Sequence, residues 1–363
     1  MPPGRERKDT ERVKTGITGL PFSGKTTLFC ALTGQDYGSL GHGREIHPGT
    51  VPVPDRRLDV LFDLFQPRKK TPATMEYFDI AGKPALEKGG MDTAVIRTLR
   101  NADSLVVVLD AFSPGADPRR DLAALIEEFA LSDLVVATNR LERIEKELRA
   151  QKDERLVHER ELMESVRERL EGGERLTGMA MTESQDKALR GFQFLTRKPI
   201  LAVVNISEAD LEAGRAEQYE KQFADTGNIH AAAICAEVEM EIAALDNPEE
   251  RAEFLASMGI EESAMGRLIH LSYESLGLLS FFTAGGDDEV RAWTVRQGAK
   301  APECAGVIHS DMERGFIRAE TIAFDDLVLA GSLKAAREKG LLRIEGREYI
   351  VNDGDILTIR FNV

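Results

Sequence analysis

The sequence has few cysteines, one tryptophan and no long apolar run. Its three cysteines, Cys30, Cys235 and Cys304, are odd in number and far apart among 363 residues. This excludes the spacing of a disulfide framework or a zinc knuckle, so we expect a reducing, cytoplasmic environment. No apolar run approaches the roughly 18 residues of a membrane-spanning helix, and we predict no membrane association.

The N-terminus lacks an apolar segment. Its first residues, MPPGRERKDTERVK, are charged, so the sequence predicts no signal peptide, and residues 1–12 are expected to form a flexible tail. Positive charge is also scarce, because 47 Lys and Arg face 62 Asp and Glu, for a net charge of −15. This argues against nucleic-acid binding by overall charge and leaves only a local basic patch for such a role.

A phosphate-binding loop stands out near the start. The stretch GLPFSGKTTL, residues 19–28, fits the pattern G-x-x-x-x-G-K-[ST]. A β-favouring run, VKTGIT, precedes it and a helical run, TTLFCALTG, follows it, which is the context that the motif requires. Backbone amides of such a loop surround phosphates, the lysine reaches the β- and γ-phosphates, and the first Thr ligates Mg²⁺. The predicted nucleotide contacts are Phe22, Ser23, Gly24, Lys25, Thr26 and Thr27.

A second motif follows about 55 residues later. In TMEYFDIAG, 74–82, an apolar strand ends at Asp79, and Gly82 completes D-x-x-G. Such an acid holds Mg²⁺ in P-loop NTPases, and the glycine can sense the γ-phosphate. We therefore predict Thr26 and Asp79 as metal ligands, and Lys25 and Gly82 as catalytic residues.

Three buried parallel strands are predicted further along. Their segments are ADSLVVVLDAF (102–112), KPILAVVNISE (198–208) and HAAAICAEVE (230–239). Ligands of open α/β sheets bind at the carboxyl ends of such strands, which places Asn205, Ile206, Glu208, Cys235 and Ala236 beside the nucleotide.

The base preference is inferred from NISE, 205–208. Guanine-specific P-loop proteins carry N-K-x-D here, with the Asp bonding guanine N1–H and N2–H₂. In this chain Ile206 replaces the Lys and the longer Glu208 replaces the Asp. A site that reads two hydrogen bonds discriminates only with the right geometry, so we favour ATP over GTP. Asn205 could contact the purine or the phosphate loop itself.

With these pieces placed, the chain resembles the YchF/Obg-like ATPase family of TRAFAC-type P-loop NTPases, from about residue 13 to the end. The resemblance rests on GLPFSGKTTLFCALTG, VPVPDRRLD (51–59), TMEYFDIAG, FLTRKPILAVVNISE and the stretch from FFTAGGDDEV to GFIRAETIAFDD. It implies ATPase activity on a GTPase fold, an inserted helical arm, a C-terminal TGS domain of β-grasp type, ribosome association and a role in stress or redox responses.

The chain departs from the family pattern at its switches. Glu45 stands where a Mg²⁺-contacting Thr is expected, and Lys83 follows D-I-A-G where relatives have an apolar residue. Phe22 and Ser23 replace the usual Asn-Val. Glu45 could bind metal and Lys83 could stabilise transferred charge, but both assignments stay open. We expect a divergent member that binds ATP and hydrolyses it slowly.

A helical insertion is predicted between the third and fourth strands. Leu134, Leu141 and Leu148 recur every seven residues, as do Leu156, Met163 and Leu170. This pattern predicts an antiparallel helical hairpin with its turn near 150–153. Residues 119–140 could instead lie on the G domain. A further helix is predicted from Thr182, with Gln185 completing a capping box.

The C-terminal part alternates apolar and polar residues in short runs, with one helix expected over 327–340. The predicted fold is α/β. It comprises a P-loop G domain (13–118 and 197–277), an inserted coiled-coil arm (119–196) and a β-grasp, TGS-like domain (278–363). We expect ATP or ADP with Mg²⁺ as ligands, and ribosome contact through the arm and TGS domain, with RNA contact as an open alternative. Rival interpretations are a conventional GTPase and a scaffold with little hydrolysis.

Overall fold

A computed structural model describes residues 13–36, 38, 46–80, 91–151, 153–227, 229–245, 247–260 and 263–362. The predicted tail, Glu45, Gly82 and Lys83 lie outside these residues. The strands are β1 (Val13–Gly19), β2 (Ile46–Pro52), β3 (Lys69–Thr71), β4 (Thr74–Ile80), β5 (Ser104–Asp110), β6 (Ile200–Asn205), β7 (Ile229–Ile234), β8 (Leu278–Thr283), β9 (Glu289–Arg296), β10 (Phe316–Ala323), β11 (Arg343–Glu345) and β12 (Asp355–Phe361).

Helices connect and cover these strands. They are α1 (Lys25–Thr33), α2 (Arg56–Phe65), α3 (Thr93–Arg100), α4 (Pro118–Ala150), α5 (Glu154–Glu171), α6 (Glu183–Arg190), α7 (Glu208–Glu212), α8 (Ala216–Lys221), α9 (Ala236–Ala244), α10 (Pro248–Ser257), α11 (Ala264–Ser275), α12 (Ala301–Ile308), α13 (Ser310–Arg314), α14 (Phe324–Ala330) and α15 (Leu333–Glu338), with 3₁₀ turns at Leu176–Gly178 and Leu195–Arg197. Within the described ranges, none of these helices combines the length and apolarity needed to cross a membrane.

The first sheet has the strand order β2-β4-β1-β5-β6-β7. Strands β1, β5, β6 and β7 pair in parallel, in the registers Thr15 with Ser104, Leu105 with Ile200 and Ile200 with Ile229. Residues of β5 and β6 are buried almost throughout, which explains their uninterrupted apolar sequence. The predicted α/β class with a mainly parallel sheet is confirmed.

The second sheet has the order β11-β10-β12-β8-β9-β3. Strands β8 and β9 are antiparallel, as are β10 and β12, whereas β3 pairs in parallel with β9. Two predictions for this part were wrong. The run REYIVN, 347–352, is one of the short alternating segments expected to form strands, but it forms only an isolated bridge at Ile350. The helix expected over 327–340 is broken at Gly331, whose φ of 77° ends α14 in the left-handed region.

The chain divides into two compact units. One comprises Lys14–Gly49 and Tyr77–Met265, and the other combines Thr50–Glu76 with the chain from Gly266 onward. The segment 50–76, which the predicted boundaries place in the G domain, thus belongs to the unit of the second sheet. Those predicted boundaries otherwise stay a prediction.

Helices α4 and α5 pack against each other within the first unit. Their shared core includes Leu141, Met163 and Leu170, with Leu134, Leu148 and Leu156 partly buried beside it. Helix α4 ends at Ala150 and α5 begins at Glu154, and the capping box of Thr182 and Gln185 is present at α6. The heptad pattern therefore predicted this helical pair and its turn correctly.

Candidate functional site

The phosphate loop joins β1 to α1. Its backbone takes left-handed conformations at Phe22 (φ 64°) and Gly24 (φ 91°). A Cβ atom at Gly24 would lie 2.2 Å from Nδ2 of Asn205, so only glycine fits there. Phe22 is not a glycine, and its left-handed backbone is strained, while its ring is 93% exposed. Gly24 has no side chain to cap α1, so the first amides of this helix have no side-chain cap and are available to an anion.

Lys25 is the first residue of α1, directly after this loop. Its Nζ donates a hydrogen bond to the carbonyl oxygen of Leu20, at 2.7 Å. Burial lowers the pKa of Lys25 to about 8, although the nearby carboxylate of Asp79 acts in the opposite direction. A buried ammonium with one neutral partner is poised to gain from a bound phosphate.

Asp79, near the end of β4, is the acidic member of the site. It is 1% exposed, and neither carboxylate oxygen has a hydrogen-bond partner among the described residues. Burial raises the pKa of Asp79, while the Thr26 hydroxyl and the charges of Lys25 and His47 lower it. A buried carboxylate left without donors, beside a hydroxyl, fits a divalent cation.

Asn205 connects the phosphate loop to the predicted base loop. Its Nδ2 donates to the carbonyl oxygen of Ser23 at 3.1 Å, and its Oδ1 accepts from the amide of Ala236 at 3.0 Å. The amide side chain therefore holds two loops together, which is the second of the two roles considered for it. Strand β7 ends at Ile234, so Ala236 begins α9 instead of extending the strand.

The base loop continues into a short helix. The Ile206 side chain is 1% exposed and packs in the sheet core, while its amide donates to the carbonyl oxygen of Ile234 at 2.9 Å. Ser207 caps α7 by accepting from the amide of Asp210, and Glu208 is exposed at the first position of that helix.

These elements enclose a cavity of about 670 Å³, within the size range of small-molecule sites. Its walls include nine predicted residues: Phe22, Gly24, Lys25, Thr26, Thr27, Asn205, Ile206, Glu208 and Cys235. Ser23 and Ala236 are buried behind the wall and take part through their backbones. The sequence-predicted residues of the two loops thus come together in one cavity.

Four further residues of the wall escaped the sequence reasoning: Phe112, Ser207, Glu237 and Met240. Phe112 follows β5, and the carboxylate of Asp110 accepts from the amides of Phe112 and Ser113, both at 3.0 Å. This aspartate-stabilised turn precedes Phe112 in the wall of the cavity. An Asp at the end of a buried strand was the available signal, because such residues commonly organise turns.

The cysteines near the cavity are poor nucleophiles. Burial raises the pKa of Cys30 to about 11, with Asp79 and Asp36 adding to the shift, and burial also raises the pKa of Cys235. The thiolate is the reactive form, so neither residue is activated. Chemically, the cavity offers amides and a lysine at one end and an apolar and carboxylate-bearing wall at the other, which suits a nucleotide.

Comparison with known proteins agrees with this arrangement. The family model YchF-GTPase_C, described as a protein of unknown function, matches residues 278–362. The chain is 41% identical to the ribosome-binding ATPase YchF of Bacillus subtilis (strain 168), covering 96% of this chain and 99% of that one. It is 34% identical to Obg-like ATPase 1 of Oryza sativa subsp. japonica, over 100% of this chain and 98% of that one. The structure of the Schizosaccharomyces pombe YchF GTPase superposes with a TM-score of 0.84 at 28% identity, covering 98% and 99% of the two chains.

Proposed function

Because this chain belongs to the YchF family of P-loop NTPases, we propose that it binds ATP in the cavity between the phosphate loop and the base loop. The observation that carries the proposal is the clasp of Asn205, which joins Ser23 of one loop to Ala236 behind the other. Lys25 would contact the β- and γ-phosphates, and the amides at the start of α1 would surround them. Ile206, Glu208 and Cys235 would face the base.

The residues present fit a magnesium ion. The Thr26 hydroxyl and the buried carboxylate of Asp79 would hold it, and when bound it neutralises charge on the β- and γ-phosphates. In this proposal Lys25 and Gly82 assist the transfer of the γ-phosphoryl group to water. Hydrolysis is slow in this proposal, because Glu45 stands where a Mg²⁺-contacting Thr is expected at the first switch and Lys83 departs from the family pattern after D-I-A-G.

We further propose that the protein acts on the ribosome, in the cytoplasm, as a nucleotide-dependent switch. The support is the name of its curated relatives, which are ribosome-binding ATPases. We propose that the helical pair α4–α5 and the C-terminal unit contact the ribosome. In a more specific version of this proposal, they contact ribosomal RNA.

Calorimetry with ATP, ADP and GTP in the presence of Mg²⁺ tests the nucleotide assignment. We expect ATP to bind at least tenfold more tightly than GTP, and Lys25→Ala to lose most of the affinity for either triphosphate. Equal or tighter GTP binding would overturn the adenine assignment. A single-turnover assay with Mg²⁺-ATP tests the proposed slow hydrolysis. Turnover faster than that of a family member that retains the switch threonine would refute slow hydrolysis.

A GTPase remains the second candidate, because the similar S. pombe protein is named a GTPase. The same calorimetry separates the two. The scaffold alternative predicts that Lys25→Ala keeps full ribosome binding by co-sedimentation in the presence of ATP, whereas the switch proposal predicts that it loses the effect of ATP on that binding.

A further inference from the structure

His47 is close enough to Asp79 to affect its pKa, and it has no assigned role. It belongs to β2, the neighbour of β4, which carries Asp79. The imidazole is half-buried, and its Nε2 atom is fully buried with no hydrogen-bond partner among the described residues. A buried nitrogen without a partner is costly, so it requires an explanation.

Asp79, in the neighbouring strand β4, also has buried polar atoms without hydrogen-bond partners. Both of its carboxylate oxygens are buried and lack hydrogen-bond partners among the described residues. His47 and Asp79 are close enough to interact electrostatically, since the charge of His47 lowers the pKa of Asp79. The two side chains form no hydrogen bond with each other, and each leaves buried polar atoms without a partner among the described residues.

The chemistry of these atoms indicates which partner they could share. A carboxylate, an imidazole nitrogen and the nearby Thr26 hydroxyl can all donate electron pairs to a divalent cation. One cation bound by all three groups would give partners to Nε2 of His47 and to the carboxylate of Asp79, which otherwise have none among the described residues. A bridging water could also hydrogen-bond to these atoms, but it adds no positive charge to offset the burial of the carboxylate.

We propose that Nε2 of His47 is a direct ligand of the divalent cation that accompanies ATP, and that it takes the place of the oxygen ligand missing from the first switch. The site then has mixed nitrogen and oxygen donors and favours Mn²⁺ or Co²⁺ over Mg²⁺, because imidazole suits these cations better than it suits Mg²⁺. Coordination through Nε2 places the ring proton on Nδ1. The inference rests on the proposed function, since it requires a metal–nucleotide complex beside Lys25 and Thr26.

Pulsed electron paramagnetic resonance of Mn²⁺ bound with β,γ-methylene-ATP tests this directly. The protein is prepared with natural histidine and again with ¹⁵N-labelled histidine. We expect ³¹P couplings from the phosphates together with a nitrogen coupling that changes on histidine labelling. His47→Ala should remove the nitrogen coupling and keep the ³¹P couplings, and His47→Gln repeats the test without emptying the site.

His230→Ala is the matched control, because it removes an exposed histidine from β7 of the same sheet. It should leave the nitrogen coupling intact. A second measurement is the ratio of Mn²⁺ to Mg²⁺ affinity in the presence of the analogue. This ratio should fall about tenfold in His47→Ala, the size of effect typical of losing a ligand or its support.

The outcomes separate the two proposals. Phosphorus couplings without a histidine nitrogen coupling in the wild-type protein overturn the role of His47 and leave ATP binding standing. Failure to form any Mn²⁺–nucleotide complex overturns both. Because the labelling experiment uses the wild-type protein, its result holds even if a His47 variant fails to fold.

Discussion

The amide side chain of Asn205 donates to the carbonyl oxygen of Ser23 at 3.1 Å across 182 residues of sequence. The same side chain accepts from the amide of Ala236, so one buried group fixes the spacing between the phosphate loop and the base loop. We therefore expect Asn205 to set the position of the base relative to the phosphates. The sequence alone also allowed Asn205 to contact the base directly.

Asn205→Ala should weaken both folding and nucleotide binding. It leaves the Ser23 carbonyl and the Ala236 amide without partners, so we expect a loss of about 2–4 kcal/mol in the free energy of unfolding. ATP affinity should fall at least tenfold, since the loops lose their fixed spacing. Chemical denaturation and calorimetry measure the two effects. Asn247→Ala is the control, because it removes an exposed helix cap of α10 and should leave ATP affinity unchanged.

The nucleotide-free protein should become more stable as the pH rises above 8. The pKa of Lys25 is about 8 in the folded protein and 10.5 for a free lysine. Between these values the unfolded chain binds more protons, so stability increases with pH. The full difference corresponds to about 3 kcal/mol.

Denaturation at several pH values between 7 and 10.5 measures this contribution as the difference in the rise between wild type and Lys25→Met. Lys198, whose pKa burial also lowers to about 8, contributes a rise of its own in both proteins. Lys14→Met removes an exposed lysine of the same unit and should keep the full wild-type rise. An equal rise in Lys25→Met and in the wild type would contradict the assignment to Lys25.

Glu208→Asp should shift the base preference toward guanine. The shorter side chain brings the carboxylate to the position from which guanine N1–H and N2–H₂ are read. We expect the ratio of GTP to ATP affinity to rise about tenfold, measured by calorimetry. Glu237→Asp makes the same change on α9, in the wall of the same cavity, and should leave the ratio unchanged. An unchanged ratio in Glu208→Asp would show that the base is read elsewhere.

In the second unit, Arg57 should contribute measurably to stability. Its Nη1 donates to Oδ2 of Asp353 at 2.6 Å, its Nε donates to Oδ1 of Asp55 at 3.0 Å, and its guanidinium lies over the ring of Phe282. Asp353 also accepts from the amide of Ser280. Because Asp353 is half-exposed, we expect Asp353→Ala to cost about 1–2 kcal/mol.

Arg57→Lys should not restore this arrangement, because an ammonium cannot make the forked contacts. A double-mutant cycle of Arg57 and Asp353 by chemical denaturation measures their coupling, which should be about 1 kcal/mol. Asp63→Ala, at an exposed position of α2, should be nearly neutral. Purely additive losses for Arg57 and Asp353 would contradict the predicted coupling.

The sequence predicted the parts of the site that are locally encoded. The phosphate loop, Asp79 and the base loop each follow an apolar strand, so their placement at one sheet edge follows from topology. Phe112 was missed because its position depends on a turn stabilised by Asp110. The roles of Ser23 and Ala236 were also missed, because they act through backbone atoms that any residue would offer.

The largest gap concerned the segment 50–76. Its strand β3 is only Lys69–Thr71, too short for an alternation pattern, and it pairs with a strand more than 200 residues later. VPVPDRRLD was recognised as a family feature, but the partner of Arg57 could not be inferred. Nothing in the local sequence of Arg57 indicates Asp353, because the two are brought together only by the tertiary fold.

The pairing of β3 with β9 also sets the order in which the chain can fold during its synthesis. Thr71 can form its hydrogen bond with Glu289 only after 218 further residues have been made, and Arg57 can pair with Asp353 only after 296. At translation rates of about 5–20 residues per second, the first of these delays lasts roughly 10–40 s. Throughout that interval, β3 lacks its partner strand β9, and Arg57 of α2 lacks its ion pair with Asp353. The newborn protein therefore carries this unassembled part of its second unit until after β7, the last strand of the phosphate-binding sheet along the chain, has been made.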